Sequence, residues 1–170
     1  MNDIKIRNNL KIGDVGSIIY LHGVLYAKEY GYDYTFEAYV GEPLSQFVKR
    51  NNPREKIWIV EKEKILGSIA ICEASEVEAQ LRWFLISPEL RGKGYGKQLV
   101  KKAIKFSEDQ GYKSIQLWTV KDLEAAKNIY LSNGFKLEEE VEHSVWGSNQ
   151  IEQKYTKYLS LNKALKQGRA

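Results

Sequence analysis

The chain reads Leu85-Ile86-Ser87-Pro88-Glu89-Leu90-Arg91-Gly92-Lys93-Gly94-Tyr95-Gly96-Lys97 at the point where an apolar strand gives way to a helix. The first turn of a helix has backbone N–H groups without an internal partner, and the helix dipole adds partial positive charge there. Glycines let that backbone come close to a bulky anion without a clash at Cβ. Because Arg91, Lys93 and Lys97 add charge around it, this turn suits a pyrophosphate.

Three phosphate-binding patterns compete for this segment. A dinucleotide fingerprint requires Gly-x-Gly-x-x-Gly, but Lys97 occupies the third glycine position, and an acidic residue about 20 positions on at the end of a second strand is lacking. A P-loop requires Gly-x-x-x-x-Gly-Lys-Ser/Thr, which Arg91 and Gln98 break. The pattern Arg/Gln-x-x-Gly-x-Gly/Ala is satisfied by residues 91–96 without adjustment. The remaining alternative is a turn that serves geometry alone, for which one glycine would suffice.

Hydrophobic periodicity on both sides of this segment predicts an α/β (α+β) protein. Strands are predicted at 4–10, 56–63, 66–74, 77–87, 113–120, 135–143 and 151–159. Helices are predicted at 14–29, 35–50, 94–110 and 122–133, with Thr35 and Asp122 as caps and an interruption near Gly41 and Pro43. This order predicts a mixed, mostly antiparallel central sheet of about seven strands flanked by about four helices. We expect one domain over residues 1–160 and a mobile tail over residues 161–170.

Composition narrows the class of protein. The 170 residues carry 26 Lys and Arg against 22 Asp and Glu, a net charge of +4 that is spread along the chain and too weak to argue for nucleic acid. Cys72 is the only cysteine, which excludes an intramolecular disulfide and a multi-cysteine metal site. The N-terminal residues lack the pattern of a signal peptide, and no apolar run approaches the roughly 18 residues that span a bilayer. We therefore expect a cytoplasmic protein without a metal, a nucleic-acid partner or a membrane partner.

A second motif lies downstream, Ala126-Lys127-Asn128-Ile129-Tyr130-Leu131-Ser132-Asn133-Gly134-Phe135. It resembles the Ala-x-x-x-Tyr-x-x-x-Gly-Phe signature of the GNAT superfamily of acetyl-CoA-dependent N-acyltransferases, and residues 91–96 resemble the pyrophosphate motif of that family. The two motifs stand in the expected order, with one strand between them. The chain also resembles the acetyltransferase half of bacterial proteins that join a MarR-type regulator to a GNAT domain, through residues 20–27 and 117–120. Without a winged-helix half, this second resemblance carries no implication of DNA binding.

The resemblance implies roles for specific residues. Phe84, Leu85 and Ile86 match the strand whose backbone pairs with the pantetheine arm of acetyl-CoA and polarises the thioester carbonyl. The pyrophosphate cradle matches Arg91, Gly92, Lys93, Gly94, Tyr95, Gly96 and Lys97. Tyr130 matches the tyrosine that lies near the coenzyme A sulfur. The family often has Asn seven residues before that tyrosine, where this chain has Leu123, so a polar contact to the cofactor arm is lost or replaced, for example by Asn128.

The chemistry that the resemblance implies is direct attack of an amine on the acetyl thioester in a ternary complex. The site must remove a proton from the amine, stabilise the oxyanion and protonate the thiolate. A backbone N–H near Ile86 suits the oxyanion. Tyr130 suits the thiolate, since phenol and thiol acidities are close enough for transfer. The alternative for Tyr130 is a core tyrosine on the helix face with Leu123 and Ala126.

The general base is left open by the sequence. Glu78, at the start of the strand that leads to the thioester, is the candidate catalytic residue, and a solvated strand-end glutamate is its alternative. Gln80 and Arg82 share its strand face by alternation, and Arg82 is a candidate for holding an acidic substrate group. His22 lies on the apolar side of the first helix as a base, a substrate contact or a core histidine. His143 lies near the final hairpin turn with similar alternatives.

In the family that the chain resembles, the first two helices and the last hairpin wall the acceptor site. Here they carry aromatic and acidic side chains that suit a cationic amine: Tyr26, Glu29, Tyr30, Tyr32, Asp33, Tyr34, Glu37, Tyr39 and Trp146. The alternative is that the tyrosines fill an interface between helices and sheet, or a homodimer contact. The acceptor is left open among small amines, amino acids, peptides and protein lysines, of which the last requires an open groove. A non-catalytic acetyl-CoA-sensing module is the rival outside enzymes.

Overall fold

The structure, a computed structural model, describes residues 3–160, so the expected tail at 161–170 lies outside the described residues. Seven strands form in this part of the chain: β1 (Lys5–Arg7), β2 (Lys56–Glu61), β3 (Ile65–Glu73), β4 (Glu78–Ile86), β5 (Ser114–Val120), β6 (Lys136–Val145) and β7 (Ser148–Tyr158). Four helices accompany them: α1 (Asp14–Tyr30), α2 (Thr35–Arg50), α3 (Tyr95–Asp109) and α4 (Glu124–Ser132). The predicted α/β class is confirmed.

The strands form one sheet in the order β1-β2-β3-β4-β5-β7-β6. Only β4 and β5 run parallel among the strand pairs of residues 3–160, because the chain crosses over through α3 between them. Every other neighbouring pair is antiparallel. The mixed, mostly antiparallel sheet with four helices is therefore as predicted. Within the same residues, no helix has the length and apolar character that crossing a bilayer requires.

The parallel pair separates soon after it begins. β4 and β5 pair at three positions only, from Glu78 opposite Ser114 to Gln80 opposite Gln116. β4 then continues to Ile86 with a partner strand on its β3 side alone, while β5 continues alongside β7. The divergence opens a cleft at the centre of the sheet, and the backbone polar groups of β4 along this cleft are left for a ligand to pair with.

A β-bulge in β4 lies beside this cleft. The register with β3 shifts so that Ser68 opposes Leu85 while Ala70 opposes Arg82, which places two β4 residues opposite one β3 residue. Trp83 takes the left-handed backbone conformation with φ of 48°, and its carbonyl accepts a 2.7 Å hydrogen bond from the Ser68 hydroxyl. The bulge reverses the alternation, so Leu81 belongs to one hydrophobic core of the sheet and Trp83 to the other.

The sheet separates these two cores. α3 and α4 cover one face, where helical spacing brings Leu99, Val100, Ala103 and Tyr130 onto the sheet. α1 and α2 cover the other face with Ile18, Phe36, Val40, Leu44 and Phe47. The cleft between β4 and β5 passes through the sheet between the two cores, so a ligand in it is reached from both layers of helices.

Three local expectations are corrected by the packing. β1 is limited to the three residues that pair with β2, whereas a strand over 4–10 was expected. α2 runs without interruption through Gly41 and Pro43, because four side chains one turn apart anchor it in the core on both sides of Pro43. Neither Thr35 nor Asp122 caps a helix with its side chain; instead the Asp33 carboxylate accepts the Thr35 N–H at 2.9 Å, ahead of α2.

Candidate active site

A cavity of about 370 Å³, here called the larger cavity, lies between the free end of β4, the loop that follows it, α4 and the end of α1. Its lining comprises Leu25, Tyr26, Glu29, Tyr30, Phe84, Leu85, Ile86, Leu90, Arg91, Gly92, Gly94, Gly96, Lys97, Leu123, Ala125, Ala126 and Ile129. The side of this cavity formed by β4 and α4 is apolar, whereas the glycine loop adds backbone amides and two cationic side chains. Such a surface fits a long ligand with an anionic group at one end.

The loop that closes β4 presents free amides to this cavity. The N–H groups of Tyr95, Gly96 and Lys97 have no acceptor within residues 3–160, since no side chain caps the start of α3. Gly94 precedes the helix in the left-handed conformation with φ of 85°. Gly96 is constrained by space, because a Cβ there would lie 2.9 Å from the Ile129 side chain and 3.3 Å from the Phe84 ring. The geometry therefore fits an anion at the helix start.

Arg91 links this loop to the end of α1. Its guanidinium lies 2.9 Å from the Glu29 carboxylate, and its Nε donates to the Ile86 carbonyl at 3.2 Å. The Arg91 side chain is about half exposed, so the ion pair by itself stabilises the fold little. What it does is hold a cation at the mouth of the larger cavity, beside the free amides of α3.

Eight of the residues predicted to bind the cofactor line the larger cavity: Phe84, Leu85, Ile86, Arg91, Gly92, Gly94, Gly96 and Lys97. Lys93 and Tyr95 do not, and Tyr95 packs instead against the hydrophobic core under α3. Asn128 is exposed on α4 and lies outside the lining, because α4 turns Ala125, Ala126 and Ile129 towards the cavity. The expected polar replacement for Leu123 is therefore not found at Asn128.

A smaller cavity of about 110 Å³ lies on the α1 and α2 side of the sheet. Its lining comprises His22, Tyr26, Tyr32, Phe36, Tyr39, Val40, Gln80, Leu81, Arg82, Trp83, Phe84, Trp118, Thr119, Val120, Leu123, Ala126, Tyr130, Trp146 and Glu152. The two cavities share Tyr26, Phe84, Leu123 and Ala126. They are therefore adjacent at the bulged end of β4, and the border that these four residues form is here called the junction.

Tyr130 faces this junction from α4. It is 4% exposed, and its ring centroid lies 5.8 Å from that of Phe84. Burial, with a smaller contribution from Tyr26, raises the pKa of the Tyr130 hydroxyl well above its usual value. The hydroxyl therefore stays protonated at physiological pH, and Tyr130 belongs to the lining of the smaller cavity.

His22 faces the smaller cavity from α1. It is 3% exposed, and its Nδ1 lies 2.8 Å from the Ile18 carbonyl oxygen. Its Nε2 is buried and has no partner in the described part of the chain. Burial lowers the pKa of His22 to about 4, despite the opposing hydrogen bond to Ile18, so the imidazole is neutral at physiological pH.

Aromatic side chains from both helices and the last hairpin surround the smaller cavity. Tyr32 packs against Trp146 at 5.1 Å between ring centroids, and Tyr39 packs against the same indole at 4.9 Å. Among the residues expected to wall an acceptor site, Tyr26, Tyr32, Tyr39 and Trp146 line this cavity, whereas Glu29 and Tyr30 line the larger one. Asp33, Tyr34 and Glu37 lie outside both linings.

Glu78 is not brought to the junction. Six residues separate it from Phe84, about 20 Å along a strand. Its carboxylate accepts hydrogen bonds from Ser114 at 3.4 Å and from Gln116 at 3.1 Å, at the closed end of the cleft. It lies outside both linings, because the β4–β5 pairing holds it away from the end of β4 that borders the two cavities.

The residues that sequence reasoning missed lie on the late strands. Glu152, on β7, lines the smaller cavity with a side chain only 12% exposed, and it accepts a hydrogen bond from His143 of β6. Trp118 and Thr119 line the cavity from β5. The signal was present in Gln150 and Glu152, two polar residues on one face of a strand that runs beside the sheet centre. Residues 3–160 bring no three potential metal ligands together.

Known proteins resemble this chain in sequence and in structure. The model of the acetyltransferase (GNAT) family matches residues 21–135. An uncharacterized N-acetyltransferase of Schizosaccharomyces pombe is 32% identical over 123 residues, which cover 70% of this chain and 75% of that protein.

Solved acetyltransferases share the fold. One from Streptococcus agalactiae 2603 superposes with a TM-score of 0.76 at 21% identity, over 94% of this chain and all of that chain (100%). The acetyltransferase yncA of Salmonella typhimurium, solved with its cofactor acetyl-CoA, superposes with a TM-score of 0.71 at 16% identity, over 95% of this chain and 96% of that chain.

The central cleft, the glycine loop at a helix start and the two adjacent cavities are features expected of an acyltransferase. Within that class, the family match and the sequence relative are decisive. The chain belongs to the acetyltransferase (GNAT) family and is an N-acetyltransferase.

Proposed function

We propose that this enzyme transfers the acetyl group of acetyl-CoA to a primary amine of a small acceptor, by direct attack in a ternary complex. The observation that carries the proposal is the junction of the two cavities at Tyr26, Phe84, Leu123 and Ala126. A thioester in the larger cavity and an amine in the smaller one meet there without a covalent enzyme intermediate.

The larger cavity suits acetyl-CoA. The free amides of Tyr95, Gly96 and Lys97, together with the Lys97 and Arg91 side chains, supply the charge that a pyrophosphate requires. The backbone of residues 84–86, which has no strand partner on the cleft side, supplies hydrogen bonds for the amide groups of a pantetheine arm. A phosphate that pairs with Arg91 competes with Glu29 for the guanidinium.

Each proton in the reaction has a candidate group. The amine lone pair attacks the thioester carbon, the C–N bond forms, and the carbonyl oxygen becomes an oxyanion. When the oxyanion re-forms the carbonyl and the C–S bond breaks, the thiolate takes the Tyr130 proton, and the proton that the amine nitrogen gives up then restores Tyr130. Burial raises the pKa of Tyr130. The same apolar site also raises the pKa of the thiol that forms there, so proton transfer from Tyr130 to the thiolate stays feasible.

His22 is the proposed acceptor of the amine proton, in place of Glu78. Because Nδ1 faces a carbonyl, which only accepts, Nδ1 carries the imidazole proton and Nε2 carries a lone pair. A base with a pKa of about 4 does not deprotonate a free alkylammonium, whose pKa is about 10.4. The acceptor therefore enters as the neutral amine. Once its nitrogen has bonded to the acyl carbon, that nitrogen is far more acidic, and the neutral His22 imidazole takes its proton.

The size of the smaller cavity favours a small acceptor over a folded protein. Residues of two helices, the β6–β7 hairpin and β4 line a volume of only about 110 Å³, whereas a protein-lysine acetyltransferase requires an open groove. The cytoplasmic location and the resemblance to MarR–GNAT fusions stay predictions.

The test is a screen of primary amines and amino acids with acetyl-CoA, read by release of free thiol and by mass spectrometry of the N-acetyl product. We expect turnover with a subset of small acceptors and none with denatured enzyme. Binding of acetyl-CoA without product from any acceptor in the screen would contradict the catalytic proposal and favour the sensing module.

A further inference from the structure

Arg82 is the cation of the smaller cavity. It projects from β4 next to the bulge, two residues before Phe84, and its guanidinium carbon lies 5.2 Å from the centroid of the Trp83 ring. Within residues 3–160, Arg82 takes part in no hydrogen bond and no ion pair, unlike Arg7, Arg50, Arg54 and Arg91. The partly buried Arg82 guanidinium has therefore lost part of its hydration, and no negatively charged partner compensates for that loss.

The one carboxylate in the same lining does not neutralise it. Glu152 accepts a hydrogen bond from His143 and forms no ion pair with Arg82. His22 is neutral, and the tyrosines of the lining are uncharged at physiological pH. The described lining therefore holds a guanidinium with five N–H donors and no anion in contact with it.

The position of Arg82 limits which part of an acceptor it can hold. Two strand residues correspond to about 6–7 Å, so the guanidinium lies a short distance from the junction at Phe84. A carboxylate on the carbon next to the amine bridges such a gap, because the planar guanidinium of Arg82 can donate two parallel N–H bonds to it. The rest of the acceptor then lies against Tyr32, Tyr39 and Trp146, which are apolar on their faces.

We infer that the acceptor is an amino acid, whose carboxylate pairs with Arg82 while its amine faces the junction of the two cavities. This inference rests on the proposed function and names the substrate class of the same site. The carboxylate supplies the counter-charge that Arg82 lacks, and the aromatic wall favours an amino acid with an apolar side chain. A polyamine is disfavoured, because a second cation would meet the unpaired guanidinium.

Matched acceptors test the inference. L-Leucine and 3-methylbutylamine differ only in the carboxylate, as do L-phenylalanine and 2-phenylethylamine. We expect kcat/KM for each amino acid to exceed that for its decarboxylated partner by about 10-fold or more, the usual strength of a charge-assisted hydrogen bond. Equal or higher kcat/KM for the decarboxylated amines would overturn the inference while leaving acetyl transfer to amines intact.

Arg82→Gln assigns the preference to this side chain. The ratio of kcat/KM values within each pair should fall towards one, whereas Lys102→Gln, a matched charge change on the exposed side of α3, should keep it. The thermal shift caused by acetyl-CoA reports folding of both variants. An unchanged ratio in Arg82→Gln would overturn the role of Arg82.

A binding measurement separates this inference from the proposed function. If no acceptor releases thiol, the proposed function fails, and the melting temperature of the coenzyme A complex with each of the twenty common amino acids is the remaining readout. A rise with any of them that Arg82→Gln abolishes supports the amino-acid site. The absence of a rise with all twenty, together with the absence of turnover, overturns it.

Discussion

The Nδ1 atom of His22 lies 2.8 Å from the carbonyl oxygen of Ile18, one turn earlier in α1. This contact fixes the tautomer, because a carbonyl accepts and never donates. It leaves a buried lone pair on Nε2 of a residue that lines the smaller cavity. A buried lone pair without a hydrogen-bond donor costs free energy. The N–H group of an acceptor amine would supply that donor and remove the cost.

His22→Asn tests this lone pair in catalysis. The amide N–H of asparagine replaces the donor to Ile18, while the second nitrogen is lost. We expect kcat to fall by about 100-fold, as for removal of a proton acceptor, with the thermal shift by acetyl-CoA retained. Steady-state kinetics with the best acceptor of the screen make the measurement, and a kcat equal to that of the natural enzyme would refute the role.

The free energy of unfolding should depend on pH through His22. Its pKa is about 4 in the folded chain and about 6.5 when exposed, because burial disfavours the imidazolium. Between these values the unfolded chain binds a proton that the folded chain does not, so stability is lost as pH falls from about 6.5 towards 4. From pH 7 to pH 4.5 the natural enzyme should lose about 2 kcal/mol more than His22→Asn in urea titrations. Parallel losses in the two proteins would show that His22 is not buried as a neutral side chain.

Tyr130→Phe removes the proposed proton donor and keeps the ring that packs on Phe84. We expect the acetyl-transfer rate to fall by about 10- to 100-fold, with little change in affinity for acetyl-CoA. Tyr155→Phe is the matched control, since its buried hydroxyl donates to Gln153 at 3.0 Å and lies outside both cavities. That variant should lose about 1 kcal/mol of stability and keep its rate. Equal rates in the two variants would remove Tyr130 from the mechanism.

Gly94→Asp tests the anion site at the start of α3. No atom lies within 4 Å of a Cβ at this position, so the side chain has space, and its carboxylate repels a pyrophosphate. Gly94→Asn has the same size and the same left-handed backbone strain without the charge. Acetyl-CoA should raise the melting temperature of the asparagine variant but not of the aspartate variant. A similar shift in both would place the pyrophosphate elsewhere.

Most of the lining of the larger cavity was predictable as one local site, because its parts are close in sequence. A strand end, a glycine loop and a helix start follow one another over residues 84–97, and their geometry depends on local backbone conformation. The exceptions are motif residues whose orientation depends on tertiary packing rather than on neighbouring sequence. Lys93, Tyr95 and Asn128 belong to the motifs, but packing of α3 and α4 against the sheet turns them away from the cavity.

The position of Glu78 away from both cavities was not predictable, because strand pairing decides it. Glu78 and Phe84 belong to one strand, and alternation alone says nothing about where β5 leaves β4. The bulge at Trp83, which aims Arg82 and Trp83 into one cavity, follows from the register with β3 and has no local signal. The same holds for Pro43, which lies inside a helix that core contacts maintain.

The sequence by itself determined the order of strands and helices, the anion-binding turn and the family, since these depend on periodicity and on motifs of adjacent residues. Only the tertiary structure decided which side chains line the smaller cavity. His22, Arg82, Tyr130 and Glu152 come from α1, β4, α4 and β7, and hydrophobic burial of the two helical layers on a divergent sheet brings them together. Burial also keeps His22 neutral and Tyr130 protonated, because desolvation acts only once the neighbouring layers have excluded water.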